Sequence, residues 1–258
     1  MTALVHTGLL TGRHLRAFVR QPVFLGVNVL QPLMWLLLFG QLFKSVVDIP
    51  GFSGGDDYLV FLTPGIVMMM AMFASAWAGT TFIEDMNIGV MDRLLTSPTN
   101  RGGLIVATMW YQAVLTIMQT AIVLAIAWLM GVRFNGGWAG IAVLMLAAIL
   151  LTFIFSAFSN AVALLARAQT ALIGISQLIA FPMMFMSSAI MDTSLSPRWV
   201  GSLATFNPVE WAVTAGREAQ QVTTEWATVA MDLGLLTVLA IVMTACATLA
   251  FGSYRRSR

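Results

Sequence analysis

Six stretches of this sequence run well past 18 residues without one charged side chain, which is the mark of membrane-spanning helices. They are 21–43, 58–83, 102–132, 134–166, 168–191 and 233–254. Roughly 20 apolar residues, each rising about 1.5 Å, cross a hydrocarbon core of about 30 Å. Every run meets that length. Adjusted at their ends, the expected spans are 21–43, 58–83, 104–131, 139–166, 168–191 and 230–252. Barrel strands are excluded, because they alternate apolar and polar residues over about ten positions instead of running continuously apolar. The expected fold class is an all-α polytopic membrane protein of one domain, 1–258. Composition agrees: 59% of residues are hydrophobic and 9% charged, where a soluble domain carries about 25% charged residues. A water-facing surface cannot be made from so few charges, and disorder needs the opposite balance. The single cysteine, Cys246, excludes a disulfide framework and a Cys-based metal site.

Orientation follows from where Lys and Arg fall, since cytoplasmic loops carry the excess. Arg13, Arg16, Arg20, Arg93, Arg101, Arg167, Arg255, Arg256 and Arg258 fall on one side, nine in all. Lys44, Arg133, Arg198 and Arg217 make four on the other. Both termini are therefore expected in the cytoplasm. No cleavable signal peptide is expected, because three arginines precede a first apolar run of span length.

Three segments between the spans are more than loops. In 1–20, Arg13, Arg16 and Arg20 share one helix face and Leu4, Leu15, Phe18 and Val19 the other, which predicts an amphipathic helix lying in the cytoplasmic interface among lipid headgroups. In 84–101, Ile88, Met91, Leu94 and Leu95 form one apolar face opposite Asp85, Gly89, Asp92 and Arg93, and Pro98 ends the helix. Such a helix standing in the cytosol wastes its apolar face unless something packs there. The third segment, 192–229, holds Trp199, Trp211 and Trp226 and few long apolar runs, which predicts one or two short re-entrant helices in the outer leaflet.

Catalytic constellations are hard to find. The only histidines, His6 and His14, lie in the N-terminal segment, and no G-x-x-x-x-G-K-[ST] motif occurs. No Asp, Glu, Lys or His lies within the six charge-free runs, which disfavours a proton relay. No catalytic residue and no metal site are expected, and with a net charge of only +2, no nucleic-acid partner. Asn28, Gln31, Gln112, Gln119, Thr152, Ser156, Asn160, Ser176, Gln177, Ser187 and Ser188 should face neighbouring helices or a polar route, because each is costly in lipid. Pro32, Pro64 and Pro182 should bend or interrupt spans one, two and five. Met68–Met70 and Met183–Met186 offer deformable apolar surface for bulky or varied ligands.

The order of these segments resembles the permease subunits of ABC-type-2 exporters, especially the daunorubicin-resistance type. Arg16 to Pro22 followed by Gln31-Pro32 and Leu38-Phe39 looks like the family's approach to its first span. Tyr58-Leu59-Val60-Phe61-Leu62-Thr63-Pro64-Gly65-Ile66 is similar to its second-span opening. Glu84, Gly89, Asp92-Arg93-Leu94-Leu95 and Ser97-Pro98 resemble its most recognisable stretch, with Asp92 standing where a Glu is common. Leu195-Ser196-Pro197-Arg198-Trp199, Asn207-Pro208 and Arg217 resemble its outer segment.

The resemblance implies a coupling helix at 84–101 that docks on a separate ATPase, through Glu84, Ile88, Gly89, Met91, Arg93, Leu94 and Leu95. It implies that Arg13, Arg16 and Arg20 belong to an interface helix. ATP and Mg would be bound by the partner ATPase and no cofactor by this chain, with two ATPase copies beside two permease copies as a homodimer or a heterodimer. It also implies a route along spans one, two and five, where Asn28, Gln31, Met69, Met184 and Ser187 are the candidate residues, with span four and its Leu146 packed on the outside. The expected function is the membrane subunit of an ATP-driven exporter in a bacterial cell membrane. It moves an amphiphilic cargo (drug or antibiotic, lipid or lipid-linked glycan) outward and is not itself an enzyme. The alternatives are a membrane enzyme acting on lipids and a non-transporting scaffold subunit.

Overall fold

The computed structural model of the chain describes residues 22–48, 58–89, 101–192, 196–221 and 223–256. Arg13, Arg16 and Arg20 of the expected interface helix, and Met91, Arg93, Leu94 and Leu95 of the expected coupling helix, lie outside the described residues. Among the described residues every regular element is helical. The order is α1 (Pro22–Leu42), a 3-10 turn (Lys44–Asp48), α2 (Tyr58–Ala76), α3 (Thr80–Asn87), α4 (Arg101–Leu129), α5 (Gly137–Ala166), α6 (Gln169–Phe185), α7 (Arg198–Ala204), α8 (Pro208–Glu218) and α9 (Trp226–Arg256). Among the described residues four stretches are long and apolar enough to cross a membrane: Tyr58–Asn87, Ile105–Leu129, Gly137–Ala166 and Trp226–Ala250. Leu30–Leu42 and Gln169–Phe185 are apolar but shorter. The apolar run 168–191 is thus helical only as far as Phe185. Pro182, lacking an N–H, weakens the last turn of α6, and the chain leaves the helix three residues later.

Pro32 and Pro64 sit inside continuous helices. The break in the second apolar run comes instead between Ala76 and Thr80, where no proline stands. Of the expected coupling helix 84–101, residues 84–87 are the end of α3, which begins at Thr80, and Ile88 and Gly89 follow in a turn with Gly89 at φ 70; residues 90–100 lie outside the described residues.

The expectation that span four packs on the outside is overturned. α5 is the central helix, packed against α2, α3, α4, α6, α8 and α9. Its Leu144, Ala147, Ala148 and Leu151 have no exposed surface. The physical reason is side-chain size: small residues let helix axes approach, and packing rather than water exclusion holds helices together in lipid. Leu146 is exposed on the opposite face. Polar ties reinforce the contact with α4. Thr116 and Thr152 hydroxyls meet at 2.8 Å, and Asn160 Nδ2 donates to Thr108 Oγ1 at 2.9 Å. One large apolar core draws on α1, α2, α4, α5, α6, α8 and α9, and a smaller one joins Phe82 and Ile83 of α3 to Leu164 and Leu172.

The expectation that no acid lies within a span is also corrected. α9 begins at Trp226, so Asp232 stands in its second turn, buried.

Candidate functional site

The densest polar network lies where α8 meets the N-terminal end of α2 and the turn after α6. Its foundation is local. Asn207 caps α8 by accepting from the Val209 N–H at 3.0 Å, and Pro208 fills the first helical position, where a missing N–H costs nothing. The Asn207 amide also donates to the carbonyls of Met183 and Met186, at 2.6 and 3.0 Å, which are carbonyls the end of α6 leaves open. One side chain thus starts α8 and seals α6.

Glu210 is at the third helical position, where a capping-box acid would turn back to its own cap. Its carboxylate instead accepts from the Ser188 N–H. Arg217 follows seven residues later, on the same face of α8. Its Nη1 donates to Ser188 Oγ at 2.8 Å, its Nη2 to the Ser188 carbonyl, and its Nε to the Phe61 carbonyl of α2 at 3.1 Å. The guanidinium lies 3.5 Å from the centroid of the Phe61 ring, a cation–π contact. Tyr58 adds a bond from its hydroxyl to the Ile190 carbonyl at 2.7 Å. Burial pushes the Arg217 guanidinium down to about 10, and the charges of Glu210, Asp192 and Tyr58 pull the other way. It therefore remains a cation at neutral pH.

The backbones themselves touch here. A Cβ on Gly65 would lie 1.7 Å from the Ala189 carbonyl oxygen, so only glycine lets α2 pass the turn at 186–190. The arrangement works as a clamp. Its hydrogen bonds run between the three elements, and they fasten α2, the turn after α6 and α8 into one unit.

Of the candidate route residues, Ser187 stands in the clamped turn itself, beside Ser188. Met69 and Met184 are buried in the large core, and the Ser187 hydroxyl, also buried, donates to the Met184 carbonyl at 2.7 Å. Gln31 is exposed instead, on an apolar groove of about 480 Å³ with Leu30, Met34, Trp35 and Leu38. Asn28 stands three residues earlier on α1. At the far end of α2, Glu84 and Ile88 are exposed on and just after α3, with Gly89 beside them. The clamp formed by Glu210, Ser188 and Tyr58 with Arg217 was not legible as a site. Its members were marked separately, Ser188 as a polar span residue, Arg217 and Asn207-Pro208 in the outer segment and Tyr58 at the second-span opening, but no pattern joined them.

Long apolar helices packed through small residues, with a polar clamp joining short helices to the bundle, define a polytopic helical membrane protein. Residues 6–220 match the family model of the ABC-2 type transporter, and the chain belongs to that family. The clamp lies wholly within the matched region. A daunorubicin resistance ABC transporter permease protein, DrrB1 of Streptomyces coeruleorubidus, is 28% identical over 206 residues, covering 80% of this chain and 71% of that protein. The putative transport permease ycf38 of Cyanophora paradoxa is 28% identical over 75% of this chain and 67% of its own length. A probable doxorubicin resistance ABC transporter permease protein, DrrC of Mycobacterium tuberculosis, is 22% identical over 83% of this chain and 76% of its own.

Proposed function

We propose that this chain is the membrane subunit of an ATP-driven exporter that carries an amphiphilic cargo outward across a bacterial cell membrane. The observation that carries the reading is the ABC-2 match across 6–220 on a bundle of long apolar helices. The drug-resistance relatives support a drug-like or lipid-like cargo. In this reading the chain takes no cofactor, and ATP and Mg are bound by two copies of a partner ATPase. Two permease copies form the pore, and both termini are cytoplasmic.

The segment 84–101 is the coupling segment, reaching the ATPase through Glu84, Ile88, Gly89, Met91, Arg93, Leu94 and Leu95, while Arg13, Arg16 and Arg20 hold an interface helix against headgroups. The exposure of Ile88 supports a partner at this end. The route passes the first, second and fifth apolar segments, with Asn28 and Gln31 at its face and Met69, Met184 and Ser187 as the repacking layer behind. The short helices α7 and α8 form the re-entrant outer segment, where Trp199, Leu203 and Phe206 present apolar surface suited to the interface.

A charge at Leu94 tests the coupling contact. Leu94→Asp should cost a few kcal/mol by burying an acid against the ATPase. ATP hydrolysis stimulated by cargo falls, and membrane abundance stays normal. Intact assembly and stimulation in the variant would remove the coupling role.

Orientation is tested by thiol labelling on a Cys246→Ala background. Phe206→Cys should react with an impermeant maleimide from outside intact cells, and Ile88→Cys only after permeabilisation. The reverse pattern would place the termini outside.

A further inference from the structure

The break between α2 and α3 is made without a proline. The Ala78 N–H turns back to the Ser75 carbonyl at 3.1 Å, and the Thr80 N–H to the Trp77 carbonyl at 3.0 Å. These tighter bonds take several backbone groups out of the i to i+4 ladder, and other helices meet two of them. One is the Gly79 N–H, which in a continuous helix would reach Ser75. The other is the Ala76 carbonyl, which would accept from Thr80. Each is met by a serine from a different helix. Ser159 Oγ of α5 accepts from the Gly79 N–H at 2.9 Å, and Ser176 Oγ of α6 donates to the Ala76 carbonyl at 2.8 Å. Both serines are fully buried. A Cβ on Gly79 would come within 2.4 Å of the Ser159 carbonyl oxygen, so the junction is pressed against α5. Beyond the break, Phe82 and Ile83 pack into the core that holds Leu164 of α5 and Leu172 of α6. The same two helices thus carry α3 and bracket its joint.

We propose that residues 76–80 are a two-state joint between α2 and α3, with Ser159 and Ser176 as its positioning residues. In the bent state the serines hold the two freed backbone groups. In the straight state Gly79 N–H returns to Ser75 and Thr80 N–H to Ala76, and Tyr58–Asn87 becomes one helix. Straightening gives up both serine bonds and gains one backbone bond, because the Thr80 N–H only changes acceptor from Trp77 to Ala76; the bent state therefore leads by about one hydrogen bond, and a push on α3 is what straightens it. The existence of the joint rests on this bonding alone. Its role, passing ATPase movement from α3 into α5 and α6, rests on the exporter reading.

The test uses the full chain in lipid nanodiscs on a Cys246→Ala background. Spin labels sit at Ile88→Cys, past the joint, and at Trp138→Cys, at the far end of α5; both positions are exposed. Loss of one hydrogen bond shifts a two-state population roughly three- to tenfold. Electron–electron distance measurements should find one dominant separation in the parent. Ser159→Ala with Ser176→Ala should move the population toward a second separation, and Ser176→Thr in place of the second alanine should restore part of the first. If the double variant does not accumulate, either single alanine variant shows a smaller shift of the same kind.

An unchanged distribution overturns the joint. With the ATPase bound, the double variant should transport several-fold less cargo per ATP while ATPase binding and basal hydrolysis hold; unchanged transport per ATP overturns the coupling role. A parent chain that recruits no ATPase refutes the exporter reading instead, and the distance measurement still decides the joint.

Discussion

Arg217→Met should destabilise the protein by about 3–5 kcal/mol, the range for removing one partner from a buried charged network. The side chain makes three hydrogen bonds, two to Ser188 and one to the Phe61 carbonyl, and stacks on the Phe61 ring. Methionine fills similar volume and satisfies none of these. It also removes the cation that offsets Glu210 and Asp192, so an uncompensated charge remains among buried groups. Arg217→Lys should recover less than half of the loss, because a single ammonium cannot span acceptors arranged for a planar fork. Thermal unfolding in detergent, with membrane abundance alongside, measures both. A methionine variant that melts with the parent would mean the clamp carries no stability.

How much of this could be read in advance depends on what each feature is made of. The charge-free runs located the long helices, because crossing a hydrocarbon core fixes both length and polarity over some twenty residues. The clamp is built differently. Arg217 gains its meaning from Ser188 and Phe61, which lie 29 and 156 residues away in sequence, and no local pattern records that pairing. Asn207-Pro208 was visible in the outer segment, but its function of closing the end of α6 through Met183 and Met186 depends on the bundle.

The break after Ala76 shows the same limit from another side. Proline was the expected interrupter, yet Pro32 and Pro64 stay within helices. The true break rests on hydroxyls of Ser159 and Ser176, delivered by helices 80 and 100 residues further on. Of the polar residues within apolar runs, Gln112, Gln119, Thr152, Ser156, Asn160, Ser176, Ser187 and Ser188 are buried among helices as expected, whereas Gln31 is exposed. Which backbone group each would meet is set by packing, and packing also put α5 at the centre. Its stretch Ala147-Ala148 looks unremarkable as sequence, yet its small side chains are what allow close approach on several faces at once.

Gly65→Val should be as damaging as loss of Arg217, by a purely steric route. The first side-chain carbon would lie 1.7 Å from the Ala189 carbonyl oxygen, 2.6 Å from its carbon and 2.9 Å from its Cα. These are backbone atoms, so no rotamer change relieves the contact. Either α2 or the turn at 186–190 must move away. Moving the turn pulls Ser188 from Arg217 and Glu210, and moving α2 pulls the Phe61 carbonyl from Arg217. Overpacking a close contact costs about 1–3 kcal/mol in soluble cores, and here the clamp is lost with it, so about 3 kcal/mol or more is expected. Gly65→Ala should show most of this loss, because the clash belongs to the Cβ itself. Gly174→Ala on α6 is the control. Nothing lies within 4 Å of the added carbon, and alanine's helix preference should leave stability equal or about 0.5–1 kcal/mol higher. Melting temperatures of the three variants, measured in one lipid mixture, decide the matter. If Gly65→Ala melts with the Gly174→Ala control, the backbone contact between α2 and the turn is not part of what holds the clamp.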